Sequence, residues 1–304
     1  MTAQQPEDED WRSRGLLAPP VLDEEYAEYR DIAGSPRLRK AVVLFLDQLG
    51  TRNSVELDPL GHLQRTHAAV RLARRLAALS EDIPQVARWF SDNLLLGVRL
   101  PDEEVDYAGV PLIERGFGTV VIDAAWVQLA LILGGMASRG GIDIGEFYAD
   151  EQFLYGPALN GAYRLESRVA MTPRIVLSNA AVRRAIEEVF DGELQTYASM
   201  LAVDEDDEVF VNYLGDLPYT VEEERETIEP LEEHRDRVVG WLSQFKADSK
   251  LAAKYEWMAS FHNWMVSKHL PPELMQHLTI AGAPARAFRA VDAGTLGIPE
   301  PDSE

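Results

Sequence analysis

The sequence predicts an α+β fold, an α/β sandwich of the ferredoxin-like, split-βαβ kind, followed by a mostly helical C-terminal region. Three observations predict it. The predicted elements between residues 38 and 180 follow the order β-α-β-β-α-β-α-β, residues 41–50 read as a buried strand, and two amphipathic helical stretches occupy about 221–246 and 248–269. The chain therefore divides into three predicted parts: an acidic tail with a short helix in 1–36, a catalytic domain in 37–180, and a mostly helical region in 181–304.

The first predicted strand, residues 41–50, organises the rest of the chain. Six apolar residues lead directly into Asp47, and Gly50 follows three positions later. A buried strand that ends in a carboxylate needs a cationic partner, because an unpaired charge taken out of water is costly. We therefore expect a cation beside Asp47. The alternative is an ordinary aspartate that caps the turn after the strand.

Turn signals and periodicity predict the remaining elements. Ser91-Asp92-Asn93 lies between a Trp-Phe pair and a Leu-Leu-Leu run, which predicts the tight turn of a hairpin with Asp92 at a strand end. Pro157 predicts the first position of a helix. The other predicted elements are helices at about 23–31, 59–79, 115–136 and 180–190, strands at about 140–148, 174–178 and 209–214, a polar loop at 51–53, and a loose tail over 280–304.

Composition and charge exclude several classes of function. The net charge of −22 repels nucleic acid and anionic membranes, so neither is expected as a partner. The absence of cysteine excludes disulfides and thiolate chemistry, and with an N-terminus that lacks a signal peptide it favours the cytoplasm. Asp123 and Gln128 interrupt the apolar run 119–137, which favours a buried or interface helix over a membrane span. The six histidines lack metal-ligand spacing and are expected to be structural or exposed.

Two pairs of polar residues are candidates for chemistry. In a split-βαβ sheet the first strand and the first hairpin are neighbours, so the carboxylates of Asp47 and Asp92 can approach each other. Adjacent carboxylates need a proton or a cation between them. Mg²⁺ and Mn²⁺ prefer oxygen ligands, and two such ions suit in-line displacement at phosphorus. Gly50 lets backbone amides approach a triphosphate. Asn160 and Arg164 are four positions apart and share one helix face.

These segments resemble the class III nucleotidyl cyclases, the adenylate and guanylate cyclase homology domain. Residues 45–50 resemble that family's first metal-binding strand, Ser91-Asp92 resembles its second metal site, and residues 156–166 resemble its catalytic helix. The resemblance covers about residues 38–180. It implies a nucleoside triphosphate substrate and the class III cyclase fold for this part of the chain.

The resemblance also implies roles for four residues. Asp47 and Asp92 would hold two Mg²⁺ or Mn²⁺ ions per active site, Asn160 would orient the ribose, and Arg164 would stabilise charge on the phosphate in the transition state. The family takes its metal aspartates and its asparagine–arginine pair from opposite subunits. The chain is therefore expected to form a homodimer with shared active sites, with helix 115–136 as a candidate interface element.

The positions that select the base differ from those of the purine cyclases. Arg88 and Phe153 stand where an adenylate cyclase has a lysine and an aspartate. A guanidinium only donates hydrogen bonds, so Arg88 would favour the carbonyl oxygens of uracil, and Phe153 cannot accept from an adenine amino group. The alternative is that Arg88 is a surface strand residue and Phe153 a core residue. The other substrate-binding candidates are Gln48, Leu49 and Gly50. The lysine that contacts the terminal phosphates in purine cyclases has no counterpart near residue 200.

A closer resemblance concerns the bacterial Pycsar pyrimidine cyclases. Residues 139–148, 150–159 and 173–176 carry it. It implies conversion of UTP to 3′,5′-cyclic UMP and pyrophosphate, as an antiphage signal for a separately encoded effector that senses the cyclic nucleotide. Three alternatives stay open: a cytidylate cyclase that makes cyclic CMP, a catalytically silent module that binds nucleotide, and an adaptor whose helical C-terminal region binds a partner.

Overall fold

A computed structural model of the chain describes residue 26 and residues 29–76, 85–100, 112–183, 199–215, 217 and 224–291. Its strands are β1 Arg39–Gln48, β2 Gln85–Phe90, β3 Asn93–Arg99, β4 Ser138–Ala149, β5 Leu154–Tyr155, β6 Ile175–Leu177, β7 Leu201–Val203, β8 Val209–Val211 and β9 Arg289–Ala290. Its helices are α1 Thr51–Leu57, α2 Pro59–Leu76, α3 Leu112–Leu133, α4 Pro157–Arg168, α5 Glu224–Gln244, α6 Ser249–His269 and α7 Pro272–Leu278.

These strands form one mixed sheet with the order β2-β3-β1-β4-β6-β8-β7-β9, and β5 pairs with β4 outside this path. β1 pairs antiparallel with both β3 and β4, and β3 also pairs with β2. β3 therefore lies between β1 and β2, although β2 comes before β3 in the sequence. This is the split-βαβ arrangement. The predicted α+β fold class and the predicted contact between the first strand and the first hairpin are confirmed.

Helices cover both faces of the sheet. On one face α4 packs against β1 and β4, where Val43, Phe45, Phe147 and Ala162 are buried. Glycine permits this close approach, because a Cβ on Gly141 of β4 would lie 2.4 Å from the backbone oxygen of Ala162. On the other face α3 packs against β1 and β3, and the aromatic residues of α6 join the same hydrophobic core.

Helix α3 is a core helix. Its segment Gly116–Leu133 is long and apolar enough to span a membrane by length and composition, and 78% of it is buried inside the chain. The buried amide of Gln128 donates to the backbone oxygens of Ser138 and Pro173, at 3.1 and 3.2 Å. Contacts with α2, α5, β1 and β3 cover the helix. These contacts make α3 part of the core of one chain, and its role at a subunit interface stays a prediction.

The structure corrects several predicted elements. The predicted polar loop at 51–53 is the start of α1, and α7 and the short strands β7 and β9 were not predicted. Within the predicted loose tail 280–304, the described residues 280–291 are packed on the core, because Phe288 is buried against Trp257 with 5.6 Å between the ring centroids. The predicted helices at 23–31 and 180–190 fall mostly outside the described residues. The sheet also continues past residue 180, since β8 pairs with β6.

Candidate active site

The candidate site lies where β1 and the β2–β3 hairpin end side by side. Asp47 is opposite Asn93 of β3 in the register, and the backbone nitrogen of Gln48 donates to the backbone oxygen of Asp92 at 3.0 Å. A two-residue connection forms the hairpin, with Ser91 in the left-handed region at φ 57°. The structure thus brings Asp47 and Asp92 together at one edge of the sheet, as predicted.

The environment of Asp47 disfavours its charged form. Burial, together with the charges of Glu166 and Asp92, raises the pKa of Asp47 to about 6, although the charges of Arg139 and Lys254 lower it. The nearest cation is Arg139, on the neighbouring strand β4, whose Nε lies 3.9 Å from Asp47 Oδ2. The cation that the sequence predicted beside Asp47 is therefore present, yet it leaves an excess of negative potential at the carboxylates.

Glu166 explains why Arg139 does not fully compensate Asp47. Arg139 Nη2 lies 2.7 Å from Glu166 Oε1, and the Glu166 side chain is only 4% exposed. Burial raises the pKa of Glu166, and the charge and hydrogen bond of Arg139 lower it. Glu166 ends the helix motif and Arg139 is the second residue of β4, but sequence reasoning gave neither a role. The available signal was a charged residue at an otherwise core-facing position of each element.

Buried polar atoms without hydrogen-bond partners gather around the same edge. Among the described residues these include both amide atoms of Gln48, the hydroxyl of Ser138 and Arg139 Nε. Gln48 and Ser138 are opposite each other in the register, next to the Asp47–Arg139 pair. Buried polar groups without a partner are costly, so this edge is suited to water or a polar ligand.

The residues at this edge fit a divalent metal ion that keeps part of its water shell. No group of three acidic, histidine or cysteine residues comes together to hold a metal in the described part of the chain. Asp47 and Asp92 therefore offer two carboxylates, which matches Mg²⁺ sites that are completed by water and substrate phosphates. The charges of Glu166 and Asp92 raise the pKa of Asp47, and a bound cation would offset this repulsion.

The backbone after Asp47 turns sharply at Gly50. Gly50 has φ 76°, which favours glycine, and a Cβ there would meet no atom within 4 Å. The turn is held by Thr51 Oγ1, which donates to the backbone oxygen of Gln48 at 2.7 Å, and by Leu49, whose backbone nitrogen donates to Ala137 at 2.8 Å. This leaves open space in front of the turn for a phosphate group.

Helix α4 presents Asn160 and Arg164 away from the sheet. The buried side of the helix carries Ala158, Gly161, Ala162 and Glu166, whereas Asn160 and Arg164 are exposed on the opposite side. Within the described residues no side-chain hydrogen bond or ion pair engages Arg164. The predicted pair therefore shares one face, as expected, but this face does not point towards Asp47 and Asp92 of the same chain.

Arg88 and Phe153 occupy separate positions. Arg88 lies on β2, with its guanidinium 5.2 Å from the centroid of the Tyr26 ring. Phe153 follows β4 and is 61% exposed, so it is not a core residue. Three strand spacings, about 14 Å, separate β2 from β4. Phe153 lines an open cavity of about 290 Å³, and the other lining residues are Pro36, Leu38, Tyr148 and Tyr155.

No protein-family model matches the sequence. No curated protein matches it either. Among solved structures, the adenylyl cyclase CyaB from P. aeruginosa is similar with 14% identity and a TM-score of 0.40, over 58% of this chain and 93% of that chain. The monomeric guanylyl cyclase domain of the RhoGC fusion protein from Blastocladiella emersonii is similar with 16% identity and a TM-score of 0.39, over 58% of this chain and 95% of that chain. These likenesses assign no activity to this chain.

Proposed function

We propose that the chain is a metal-dependent nucleotidyl cyclase that converts UTP to 3′,5′-cyclic UMP and pyrophosphate. The observation that carries the proposal is the pair of carboxylates, Asp47 and Asp92, held side by side at a sheet edge where negative potential is left uncompensated. Such an edge attracts divalent cations and, with them, a polyphosphate. The cyclase motifs of residues 45–50 and 156–166 support the same proposal.

Each residue then has a defined task. Asp47 and Asp92 would hold Mg²⁺ or Mn²⁺, which when bound activates the ribose 3′-hydroxyl and the α-phosphate for in-line displacement. The turn Gln48–Gly50 provides backbone groups and open space for the phosphates. Asn160 would orient the ribose, and Arg164 would donate to the phosphate oxygens as charge builds on them.

Two identical subunits would complete each site. Asn160 and Arg164 are exposed on the outer side of α4, whereas Asp47 and Asp92 lie at the sheet edge. One subunit would therefore bring its metal carboxylates to the outer face of the partner's α4 helix. Two-fold symmetry makes such a contact self-complementary and generates two equivalent sites.

The base would be recognised across the same subunit contact. Within one chain Arg88 lies three strand spacings from β4 and level with Gly141 near its start, whereas Phe153 follows the other end of β4, so a single base contacts both only if the two come from different subunits. The guanidinium of Arg88 would donate to a uracil carbonyl, and the exposed ring of Phe153 would contact the base through its face. The cyclic product would act on a separately encoded effector in defence against phage.

Product analysis tests the proposed activity. Full-length protein is incubated with ATP, GTP, CTP or UTP and Mn²⁺, and products are identified by mass. We expect cyclic UMP from the wild type, none from Asp92→Ala, and a wild-type yield from Asp236→Ala, which removes a carboxylate that is 68% exposed on α5. Cyclic CMP would replace the base assignment, a cyclic purine product would refute the pyrimidine specificity, and no cyclic product would leave a silent nucleotide-binding module.

Mixing two inactive variants tests the shared site. A dimer of one Asp92→Ala chain and one Arg164→Ala chain contains one intact site of its two. With random exchange half of all dimers are mixed, so about a quarter of the wild-type activity should return. Recovery near zero, with exchange shown by tagged subunits, would contradict a site built from both subunits.

A further inference from the structure

Residues that precede β1 form part of the hydrophobic core. Tyr26 and Tyr29 are 3% and 2% exposed and lie in the same buried cluster as Phe147 of β4. The ring of Tyr29 meets those of Phe147 and Tyr148 edge-on, with centroid distances of 5.8 and 6.2 Å. Such contacts between buried aromatic rings add to the stability gained by burial. Tyr26 and residues 29–38, which we call the N-terminal segment, are therefore anchored on the end of β4.

An ion pair joins this segment to the turn that carries Phe153. Arg30 Nη2 lies 3.2 Å from Asp150 Oδ2, and the two side chains are 20% and 13% exposed. The hydroxyl of Tyr148 donates to the same oxygen at 2.7 Å. The other oxygen of Asp150 accepts from the backbone nitrogens of Gln152 and Phe153, at 2.8 and 2.7 Å. Asp150 thus holds the backbone of Phe153, and Arg30 holds Asp150.

The same segment also contacts Arg88. The guanidinium of Arg88 lies 5.2 Å from the centroid of the Tyr26 ring, within the range of a cation–π contact. Arg88 Nη1 donates to the backbone oxygen of Ala87 at 3.0 Å. An arginine side chain has many rotamers, so contacts of this kind decide where its donors point. The N-terminal segment therefore contacts or holds both candidate base-binding residues, Arg88 and Phe153, although these lie on separate parts of the sheet.

We propose that Tyr26 and Arg30 are positioning residues for base recognition. Tyr26 orients the guanidinium of Arg88, and Arg30 acts on Phe153 through Asp150. This inference rests on the proposed function, because it takes the ligand to be a nucleoside triphosphate whose base contacts Arg88 and Phe153. The proposed base site takes these two residues from different subunits. Each N-terminal segment would therefore act on both sites of the dimer.

A comparison of UTP with CTP tests the role of Tyr26, because CTP has an amino group where UTP has the O4 carbonyl oxygen. Full-length variants are assayed with each substrate and Mn²⁺. Tyr26→Leu should lower kcat/KM for UTP relative to that for CTP by about three-fold or more, since the donors of Arg88 lose their aim. Damage to the fold would lower both values equally and leave their ratio unchanged. Tyr26→Phe keeps the ring that faces Arg88 and should retain the wild-type ratio.

Hydrogen exchange tests the role of Arg30 without reference to activity. Arg30→Met should speed exchange in the peptide 150–156, because Asp150 loses its cationic partner. The same variant should raise KM for UTP about three-fold with little change in kcat, since the ring of Phe153 is less well placed to bind the base. Arg30→Lys keeps the charge and should restore part of both effects. The matched control is Arg37→Met, which removes a charge from an exposed position of the same segment and should behave as the wild type.

Two results would overturn the assignment: an unchanged ratio of UTP to CTP in Tyr26→Leu, or equal exchange in Arg30→Met and Arg37→Met. Either result, with cyclic UMP still formed, would refute this inference and leave the proposed function standing. A wild type that makes no cyclic product would refute the proposed function. The dissociation constants of UTP and CTP, measured by calorimetry with Mn²⁺, would then replace kcat/KM in the same comparison. Binding of neither nucleotide would refute both proposals.

Discussion

A buried chain of hydrogen bonds in the C-terminal region predicts how the stability of the fold changes at low pH. Tyr213 Oη lies 3.0 Å from His234 Nε2, His234 Nδ1 lies 3.1 Å from His262 Nδ1, and His262 Nε2 lies 2.9 Å from the backbone oxygen of Leu278. A carbonyl only accepts, so His262 Nε2 carries hydrogen and its Nδ1 accepts from His234. His234 Nε2 then accepts from the tyrosine. Both rings are neutral in this arrangement, and neither has a free nitrogen for another proton.

Acid should therefore weaken the fold. Burial lowers the pKa of His262 from 6.5 to about 4, the hydrogen bond to Leu278 opposes this shift, and the charge of Arg235 adds to it. Burial and His262 also hold the pKa of His234 well below its ordinary value. Below pH 6.5 these histidines bind protons in the unfolded chain but stay neutral in the folded chain. The stability present above pH 6.5 is therefore lost as the pH falls to about 4. His262 alone accounts for about 3 kcal/mol of this loss.

Urea denaturation between pH 7.5 and pH 4 measures the effect. His262→Gln keeps one donor and one acceptor but cannot titrate, so its free energy of unfolding should fall by about 3 kcal/mol less than that of the wild type over this range. His67→Gln, at an exposed position on α2, is the control and should follow the wild-type curve. Parallel curves for His262→Gln and the wild type would refute the neutral, fully bonded histidine pair.

Two further substitutions have opposite expected effects on stability. Asp47→Asn should abolish cyclic product yet raise the free energy of unfolding at pH 7.5 by about 1 to 2 kcal/mol. The reason is that burial raises the pKa of Asp47 to about 6, so its ionised form costs stability above that pH. A variant that is less stable in urea than the wild type would contradict this. Arg174→Met should lower the free energy of unfolding by about 3 to 5 kcal/mol, because it removes the main cationic partner of the buried Asp204. Arg289→Met removes the exposed pair with Asp207 and should lower it by less than about 1 kcal/mol. Similar losses in the two arginine variants would show that the Arg174 cluster is not a buried anchor.

Local sequence patterns predicted the part of the site that depends on strands and turns. An apolar run that ends in Asp47 and a Ser-Asp-Asn turn are both short-range signals, and the split-βαβ order places them side by side. The pairing of Arg139 with Glu166 could not be predicted, because the two residues are 27 positions apart and only the packing of α4 on β4 joins them.

Short elements and long-range pairs account for most of the other differences. β7 and β9 contain three and two residues, too few for an alternating pattern to stand out. The histidines were expected to be structural or exposed, and His234 and His262 are structural. Their direct contact was not foreseen because they lie 28 positions apart on different helices. Periodicity located α5 and α6 closely, but it could not show which of their polar residues meet across the core.

The continuity of the sheet changes how the C-terminal region can be studied. β6 lies between β4 and β8, with Val176 opposite Phe210, so deletion of residues 181–304 would expose a strand edge and the apolar core beneath it. It would also leave the guanidinium of Arg174 buried without Asp204. Loss of activity or of partner binding in such a truncation would follow from unfolding alone. Point substitutions on exposed positions of α5, such as Val239 at 46% exposure, separate a partner-binding role from the structural one.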